Sequence, residues 1–211
     1  MKNSNKKAFT LVELLVVIAI IGILFVVLIS KVDFATDKAK ATGVQTDFRS
    51  FQLAAETVAR ENAGLSPLVK LTGDTNANGI ADEGETVTYD YSALADALNK
   101  TLDPKLHVVI DNATGEITMK NDAKDPWKTE YVGKYLQATA GDKATRGAIV
   151  FYSAGANLAV EMEAEVVNGE VVVEYADAAK AEDSYSVATI YTFKNGYGEV
   201  ISTSTGFSNN Q

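Results

Sequence analysis

A long apolar stretch near the start of the chain constrains its fold more than any other feature. Residues Phe9 to Ile29 include only two polar side chains, Thr10 and Glu13. At about 1.5 Å per residue, a helix of this length would cross a bilayer core of roughly 30 Å. The stretch therefore predicts a membrane-spanning helix.

The residues before this stretch do not have the order of an ordinary secretory signal. Residues 1–8 form a short polar segment with three lysines, and the apolar stretch follows Ala8 directly. An ordinary signal peptide loses its apolar region on cleavage, because the cut lies after that region. A cut after Ala8 would instead leave the apolar stretch as the N-terminus of the mature protein, so we expect residues 1–8 to be a leader peptide.

The segment KKAFTLVELLVVIAIIGIL resembles the class III signal and N-terminal helix of type IV pilins and pseudopilins. The matching positions are the Lys-bearing leader, Phe9, Thr10, Leu11, Glu13 and Gly22. The resemblance implies that a prepilin peptidase cuts between Ala8 and Phe9 and methylates the new amino group of Phe9. Two positions depart from the family pattern, since Ala8 stands where Gly is usual and Ser30 stands where many members have Pro.

Glu13 is the one ionisable side chain within the apolar stretch. A carboxylate inside a membrane helix costs several kcal/mol unless it is paired, and no cation lies between Glu13 and Lys31. The nearest candidate is the amino group of Phe9 after cleavage, on its own chain or, as the family implies, on a neighbouring subunit. Such pairing would set the axial register of subunits that enter a fibre. The alternative is a carboxylate that reaches out to the lipid headgroups.

The rest of the chain has the composition of a soluble domain. A length of 211 residues allows one globular domain with its own core beside the helix. The net charge is -9 and becomes more negative without the leader, so we expect no tight binding to nucleic acid. The chain has no Cys, and therefore lacks the C-terminal disulfide of many Gram-negative type IV pilins.

The N-terminal helix is predicted to continue beyond the membrane, with residues 9–30 as its membrane and polymerisation half and residues 31–63 as an amphipathic half. Apolar side chains in the second half recur at helical spacing, at Val44, Phe48, Phe51, Ala55 and Val58. This stripe predicts a core face on which a β-sheet packs. Asn62, Ala63 and Gly64 are typical of a helix end.

Residues 74–85 have the ligand spacing of a calcium-binding loop. In such a loop, oxygen ligands fall at alternate early positions and at the last position, with Gly at the sharp turn. The corresponding residues are Asp74, Asn76, Asn78, Ile80 through its carbonyl, Asp82 and Glu85, with Gly79 at the turn. The loop resembles those of EF-hands and dockerins, but its flanks do not have helical patterns. We therefore expect a stand-alone structural Ca²⁺ site with a Kd of about 0.1 to 1 mM; the alternative is a solvated turn.

Residues 64–211 beyond the helix are predicted to form a β-rich head. Ser92–Lys100 predicts a short helix with Ser92 as its N-cap. Strand-like segments follow at Leu106–Ile110, Glu116–Lys120, Tyr131–Thr139, Ala148–Tyr152, Ala159–Val167, Gly169–Tyr175, Ser186–Phe193 and Gly198–Thr203. Turns at Asn168-Gly169 and Asn195-Gly196 indicate hairpins. We predict an α+β fold, in which a mainly antiparallel sheet has one face on the helix and the other in water.

Two segments of the head resemble the major pseudopilins of type II secretion. Asp125-Pro126-Trp127 with Tyr131, and the segment from Phe151 to Asn157, are similar to the DPWG…Y…YSxGxDG pattern of that family. Lys128 stands in place of a family Gly, and Asn157 in place of the usual Asp, so the family's own calcium site is not carried over. We expect Trp127 to be buried with its indole N–H bonded to the backbone.

No catalytic pattern accompanies these features. His107 is the only histidine and lies in an apparent strand, and the chain has no GxSxG, phosphate-loop or HExxH motif. We expect a structural protein rather than an enzyme.

The sequence therefore favours a subunit of a type IV pilus or pseudopilus. The family implies copies of itself or related pilins, a prepilin peptidase, an assembly platform protein and an ATPase as partners. It also implies a bacterial cytoplasmic membrane location before assembly, and a surface or secretion fibre afterwards. A monomeric, membrane-anchored, calcium-binding adhesin is the alternative. A competence fibre is compatible with the same helix but gains nothing from the acidic head.

Overall fold

The computed structural model describes residues 10–75, 84–138, 145–158, 162–175, 184–194 and 197–205. The chain divides into two compact units, Met1–Ala39 and Lys40–Gln211, which we call the N-terminal unit and the head. Helix α1, Leu11–Glu61, provides the regular structure of the first unit and the first element of the second.

The described part of the N-terminal unit is helical from Leu11, and its residues 11–29 are apolar except for Glu13. The large apolar side chains described between Leu11 and Leu28 are 45% to 81% exposed. A helix that is apolar on all sides requires a covering of lipid or protein. Among the residues that the structure describes, no helix is both long and apolar enough to cross a membrane. Membrane spanning by Phe9–Ile29 stays a prediction, since Phe9 and several side chains near the end of this stretch lie outside the described residues.

In the head, the predicted core stripe of α1 is confirmed. Val44, Phe48, Phe51, Ala55 and Val58 are all buried. The ring of Phe51 stacks on Phe151 with centroids 4.2 Å apart, which fixes the helix against the middle of the sheet.

The helix end also lies where the sequence predicts it. Ala63 has a φ of 52°, and the Gly64 N–H donates to the Ala59 carbonyl at 2.8 Å, which closes the helix with a Schellman-type bond. Gly64 has a φ of 129°, and a Cβ there would lie 2.4 Å from the Cβ of Arg146. Only Gly fits this position.

The strands of the head form one main sheet and two small ones. The strands are β1 Lys70–Thr72, β2 Thr88–Asp90, β3 Val108–Ile110, β4 Glu116–Met119, β5 Val132–Leu136, β6 Thr145–Ser153, β7 Met162–Val167, β8 Glu170–Tyr175, β9 Tyr185–Lys194 and β10 Tyr197–Thr205. The six-stranded sheet has the order β10-β9-β6-β5-β4-β3, and β1-β2 and β7-β8 pair separately. Every pairing among these strands is antiparallel, so the α+β prediction is confirmed.

The second face of the main sheet was predicted to face water, but part of it is covered. Ala148 and Val150 of β6 form a second core cluster with Ala164 of β7, and Val171 and Val173 of β8 pack against it. The β7-β8 hairpin therefore covers part of the face opposite α1. The prediction missed this because the alternating pattern of β7 and β8 does not say which surface their apolar face meets.

The predicted turns have different outcomes. Asn168 and Gly169 have φ values of 54° and 79°, as a tight hairpin turn between β7 and β8 requires. Asn195-Gly196 lies outside the described residues, between strands that pair from Lys194 and Tyr197 onward.

The short helix of the head is capped differently from the prediction. Helix α2 spans Ser92–Thr101, and Ser92 is its first helical residue rather than its N-cap. The Asp90 Oδ1 accepts hydrogen bonds from the Ser92 N–H at 3.0 Å and from the Ser92 hydroxyl at 2.6 Å. Asp90 therefore provides the acceptor for the first backbone N–H of the helix, because its carboxylate is a stronger acceptor than a hydroxyl.

Candidate functional site

The start of α1 is the first candidate site. Glu13 Oε2 accepts hydrogen bonds from the Thr10 N–H at 2.9 Å and from the Thr10 hydroxyl at 2.7 Å. The Glu13 N–H lies 3.3 Å from the Thr10 hydroxyl oxygen, to which it donates. Together these bonds form a capping box, in which a Thr and a Glu three residues later satisfy the first N–H groups of a helix.

This capping box gives Glu13 a neutral partner that the sequence interpretation omitted. The signal was present as Thr-x-x-Glu directly before an apolar run. The bonds from Thr10 all fall on Oε2, and no described residue donates to Oε1. One carboxylate oxygen thus remains for an amine. The cleavage residues Ala8 and Phe9 lie outside the described residues, so pairing with the Phe9 amino group stays a prediction.

The predicted calcium loop lies between two strands that the sequence did not reveal. β1 and β2 pair in an antiparallel hairpin, with Lys70 opposite Asp90 and Thr72 opposite Thr88. The loop therefore begins and ends at the same end of this small hairpin. The Glu85 Oε1 accepts hydrogen bonds from both the N–H and the hydroxyl of Thr75. The first and last parts of the loop are therefore held together.

Most ligand residues of this loop are not described. Asn76, Asn78, Ile80 and Asp82 lie outside the described residues, and Asp74 and Glu85 lie inside. Within the described part of the chain, no three His, Cys, Asp or Glu side chains are grouped to hold a metal ion. Calcium binding stays a prediction.

The two segments that resemble pseudopilins meet at a buried carboxylate. Asp125 is 3% exposed, and its Oδ1 accepts bonds from the N–H groups of Trp127 and Thr129, both at 2.9 Å. Its Oδ2 accepts a bond from the Ser153 hydroxyl at 2.6 Å. Asp125 therefore fastens the turn after residue 125 to the end of β6. The role is structural, because all of these partners belong to the head.

Trp127 does not have the environment predicted for it. The side chain is half-buried rather than buried, and no described residue accepts a bond from its indole N–H. Its ring stacks on Tyr185 at 5.8 Å, and the Lys40 Nζ lies 5.8 Å from the ring centroid. Aromatic stacking and a cation–π contact hold Trp127 in place of the expected hydrogen bond.

Lys128 follows in a left-handed conformation, with a φ of 72°. The pseudopilin pattern has Gly at this position, and Gly adopts positive φ without a steric cost. The positive φ of Lys128 is thus a conformation that a Gly at this position would also adopt.

A second set of polar contacts ties α1 to the head. Asp47 forms an ion pair with Lys105 at 3.1 Å and accepts a hydrogen bond from the Tyr131 hydroxyl at 2.9 Å. Burial, and after it the negative charge of Asp47, raises the pKa of Tyr131 well above its ordinary value of 10.0. Tyr131 therefore stays protonated and donates to Asp47.

His107 lies just before β3 and not within a strand, because the short helical turn Pro104–Leu106 occupies the start of the predicted segment. Its carbonyl accepts a bond from the Lys120 N–H at 2.7 Å. The backbone of His107 thus extends the pairing between β3 and β4 by one hydrogen bond.

The chain was compared with families and with known proteins. The family model of the prokaryotic N-terminal methylation motif matches residues 3–29. No curated protein and no solved structure matches the chain. The match covers residues 3–8 of the leader, the cleavage position and the apolar stretch with Glu13, and it does not extend into the head.

Proposed function

We propose that this chain, which carries the class III signal of type IV pilins and pseudopilins at residues 3–29, is a structural subunit of a pilus or pseudopilus. Prepilin peptidase would cut it between Ala8 and Phe9 and methylate Phe9. The mature chain would then polymerise through α1 with copies of itself or with related pilins, in a process that needs a platform protein and an ATPase.

The observation that carries this proposal is an exposed apolar helix with one capped carboxylate at its start. Each Leu, Ile, Val or Phe side chain that leaves water contributes about 1.5 to 3 kcal/mol, so this surface requires a covering. In the membrane the covering is lipid, and in a fibre it is the same helix of neighbouring copies. Close packing among helices can replace lipid contacts at little cost.

Glu13 would supply the register that uniform apolar packing lacks. Because Thr10 occupies Oε2, the carboxylate is held in one orientation at the first turn of the helix. Oε1, to which no residue in the described part of the chain donates, can then accept from the Phe9 ammonium group of a neighbouring subunit. A charged hydrogen bond in an apolar surrounding favours one axial position over its neighbours.

Two substitutions separate the charge of Glu13 from its capping role. Glu13→Gln removes the charge but keeps a capping side chain, since Gln also serves at this position of a capping box. Thr10→Val removes the capping hydroxyl and keeps the carboxylate. We expect Glu13→Gln to abolish fibres in the sheared surface fraction, and Thr10→Val to reduce them only in part. Electron microscopy and quantification of sheared material would measure both.

The processing of both variants provides the control. Both should lose their leader as the unchanged chain does, because the cleavage position is intact. Fibres from Glu13→Gln in normal amounts would refute the charge pairing. A processed, unchanged chain that stays with the membrane and forms no fibre would instead favour the anchored adhesin.

We further propose that residues 74–85 bind one structural Ca²⁺ ion. The donor set fits a hard cation, because it consists of carboxylate, amide and carbonyl oxygens. The pairing of β1 with β2 and the bonds from Thr75 to Glu85 support the proposal, since they hold both ends of the loop together. When bound, the ion would order the loop that joins α1 to the sheet.

A further inference from the structure

The face of α1 that points away from the core of the head is largely exposed and has a net positive charge, because it carries Arg49 and Arg60 against the single carboxylate of Glu56. Its exposed positions within the head include Thr46, Arg49, Leu53 and Arg60, at helical spacing. Leu53 is 61% exposed, so this face also offers an apolar side chain to a neighbouring molecule. Arg49 forms no ion pair with a described residue, and Arg60 lies 3.8 Å from Glu56 while its own side chain is 64% exposed.

The outer face of the β7-β8 hairpin carries the opposite charge. Its exposed charged side chains are Glu163, Glu165, Glu170 and Glu174, and residues 162–175 contain no Lys or Arg. Glu163 lies directly opposite Glu174 in the strand pairing. Like charges directly opposite each other in a sheet are destabilising, so this face gains stability when a cation approaches it.

A surface cavity opens at this acidic face. It has a volume of about 310 Å³ and is lined by Glu163, Glu165, Glu174, Ala164 and Lys134. Lys134 is the one basic residue of the lining, and it forms no ion pair with a described residue. Negative charge therefore remains in excess around a cavity that can admit a basic side chain.

The two charged surfaces have similar dimensions. Arg49 and Arg60 are about 16 Å apart along a helix at about 1.5 Å per residue. Glu170 and Glu174 are about 14 Å apart along a strand at about 3.4 Å per residue. Each surface also has an apolar side chain between its charges, Leu53 on the helix and Val172 on the hairpin.

The surfaces lie on opposite faces of the main sheet and cannot meet within one chain. Ile149 and Phe151 of β6 face the core shared with α1, whereas Ala148 and Val150 face the core shared with the hairpin. A contact between two different surfaces is heterologous, and its repetition from copy to copy gives a ring or an open helical polymer rather than a two-fold dimer.

We propose that the outer face of α1 in one copy docks on the acidic face of the β7-β8 hairpin in the next copy, with Arg49 entering the cavity between Glu163 and Glu174. This inference rests on the proposed fibre and names the contact between its heads. The contact can be weak by itself, because polymerisation through the N-terminal unit holds the heads at high effective concentration.

Charge reversal tests this contact in the full chain. Arg49→Glu with Arg60→Glu, or Glu163→Lys with Glu174→Lys, should each lower the yield of sheared fibres about tenfold, since attraction becomes repulsion. All four substitutions together should restore the yield to within about threefold of the unchanged chain. Asp96→Lys with Glu130→Lys changes the head charge equally at exposed positions that do not line the cavity, and should leave the yield unchanged.

Covalent trapping provides a second measurement, because the chain has no Cys of its own. Arg49→Cys with Glu174→Cys should give a ladder of covalent multimers when isolated fibres are oxidised. Arg49→Cys with Val109→Cys, which places the second thiol on exposed β3, should not. Fibres that form normally but show neither charge rescue nor a specific ladder would overturn the docking contact alone. If the unchanged chain forms no fibres at all, the proposed function fails together with it.

Discussion

Two buried tyrosines in the head, Tyr131 and Tyr135, differ in the hydrogen bonding of their hydroxyl groups. The Tyr131 hydroxyl donates to Asp47 at 2.9 Å. The Tyr135 hydroxyl is buried, and no described residue bonds to it. The first hydroxyl contributes to stability, whereas the second loses its bonds to water without replacement.

Replacing each of these tyrosines by Phe should therefore have opposite effects. Tyr131→Phe should lower the free energy of unfolding of the head by about 1.5 to 3 kcal/mol, because the lost bond goes to a charged group. Tyr135→Phe should leave it unchanged or raise it by about 1 kcal/mol. Urea unfolding of residues 40–211 would measure both. Equal losses in the two variants would contradict the assigned partners.

Residue environments were the least predictable part of the sequence. The stripe from Val44 to Val58 was predicted correctly because a helical period of apolar residues has one structural solution. Trp127 was not, since its ring contacts come from Lys40 and Tyr185, which are distant in sequence. The Thr10 partner of Glu13 is predictable from the local Thr-x-x-Glu motif, because this spacing is that of a capping box.

The C-terminal end of α1 has a residue with a side chain, Ala63, in a left-handed conformation. Ala63 is left-handed with a φ of 52°, and a residue with a Cβ pays about 1 kcal/mol or more for that conformation. Gly is the usual residue at this position of a helix end.

Ala63→Gly should therefore stabilise the head by about 0.5 to 1 kcal/mol, even though it removes a methyl group. Gly64→Ala at the next position should destabilise it, because the new Cβ would overlap Arg146. Thermal unfolding of both variants would measure the difference. A loss of stability in Ala63→Gly would show that the left-handed conformation does not limit this helix end.

The calcium loop is an element whose binding can be measured directly. With a Kd of about 0.1 to 1 mM, Ca²⁺ at 10 mM should stabilise the head by about 1.4 to 2.7 kcal/mol. Glu85→Gln should lose most of this response, and Glu116→Gln, at an exposed position on β4, should keep it. Calorimetry and thermal shift would measure both. Neither heat nor a shift at several mM Ca²⁺ would rule the site out.

Elements were predictable where their residues carried a strong local signal. The eight strands from β3 to β10 each overlap a predicted segment, with ends that differ by up to three residues, and Asn168-Gly169 forms its turn. β1 and β2 were missed because each has only three residues, too few for an alternating pattern. The N-cap of α2 is Tyr91, one residue before the predicted Ser92, and the capping bond comes from Asp90 because its carboxylate reaches the Ser92 N–H.

For the whole head, the buried tyrosines set a limit at alkaline pH. Burial raises the pKa of both Tyr131 and Tyr135 above the ordinary value of 10.0. The unfolded chain releases these protons near pH 10 and the folded chain keeps them, so stability must fall as pH rises above about 10. Below about pH 10 both hydroxyl groups are protonated in the folded and the unfolded chain, so no stability is lost there through their titration.

Urea unfolding between pH 8 and 11 should show this decline. The double variant Tyr131→Phe with Tyr135→Phe should have a shallower slope, because it lacks two of the hydroxyl groups that keep their protons in the folded head. Tyrosinate absorbance should rise fully only on unfolding. A head equally stable at pH 8 and 11 would contradict the burial of these hydroxyls.

At the scale of the molecule, the sequence predicted the class of fold but not the layer on the far side of the sheet. Antiparallel strands and one helix follow from local patterns, whereas the position of the β7-β8 hairpin depends on contacts such as that of Ala164 with Val150. The proposed fibre-forming function depends on the first 29 residues, which contain both the family match and the Thr10–Glu13 capping box.

Mass spectrometry of the mature N-terminus tests this account most directly. The account predicts a chain that begins with N-methylated Phe9 and keeps its whole apolar stretch, recovered from sheared surface fibres. A mature chain that begins at Met1, or that has lost residues 9–29, would contradict it.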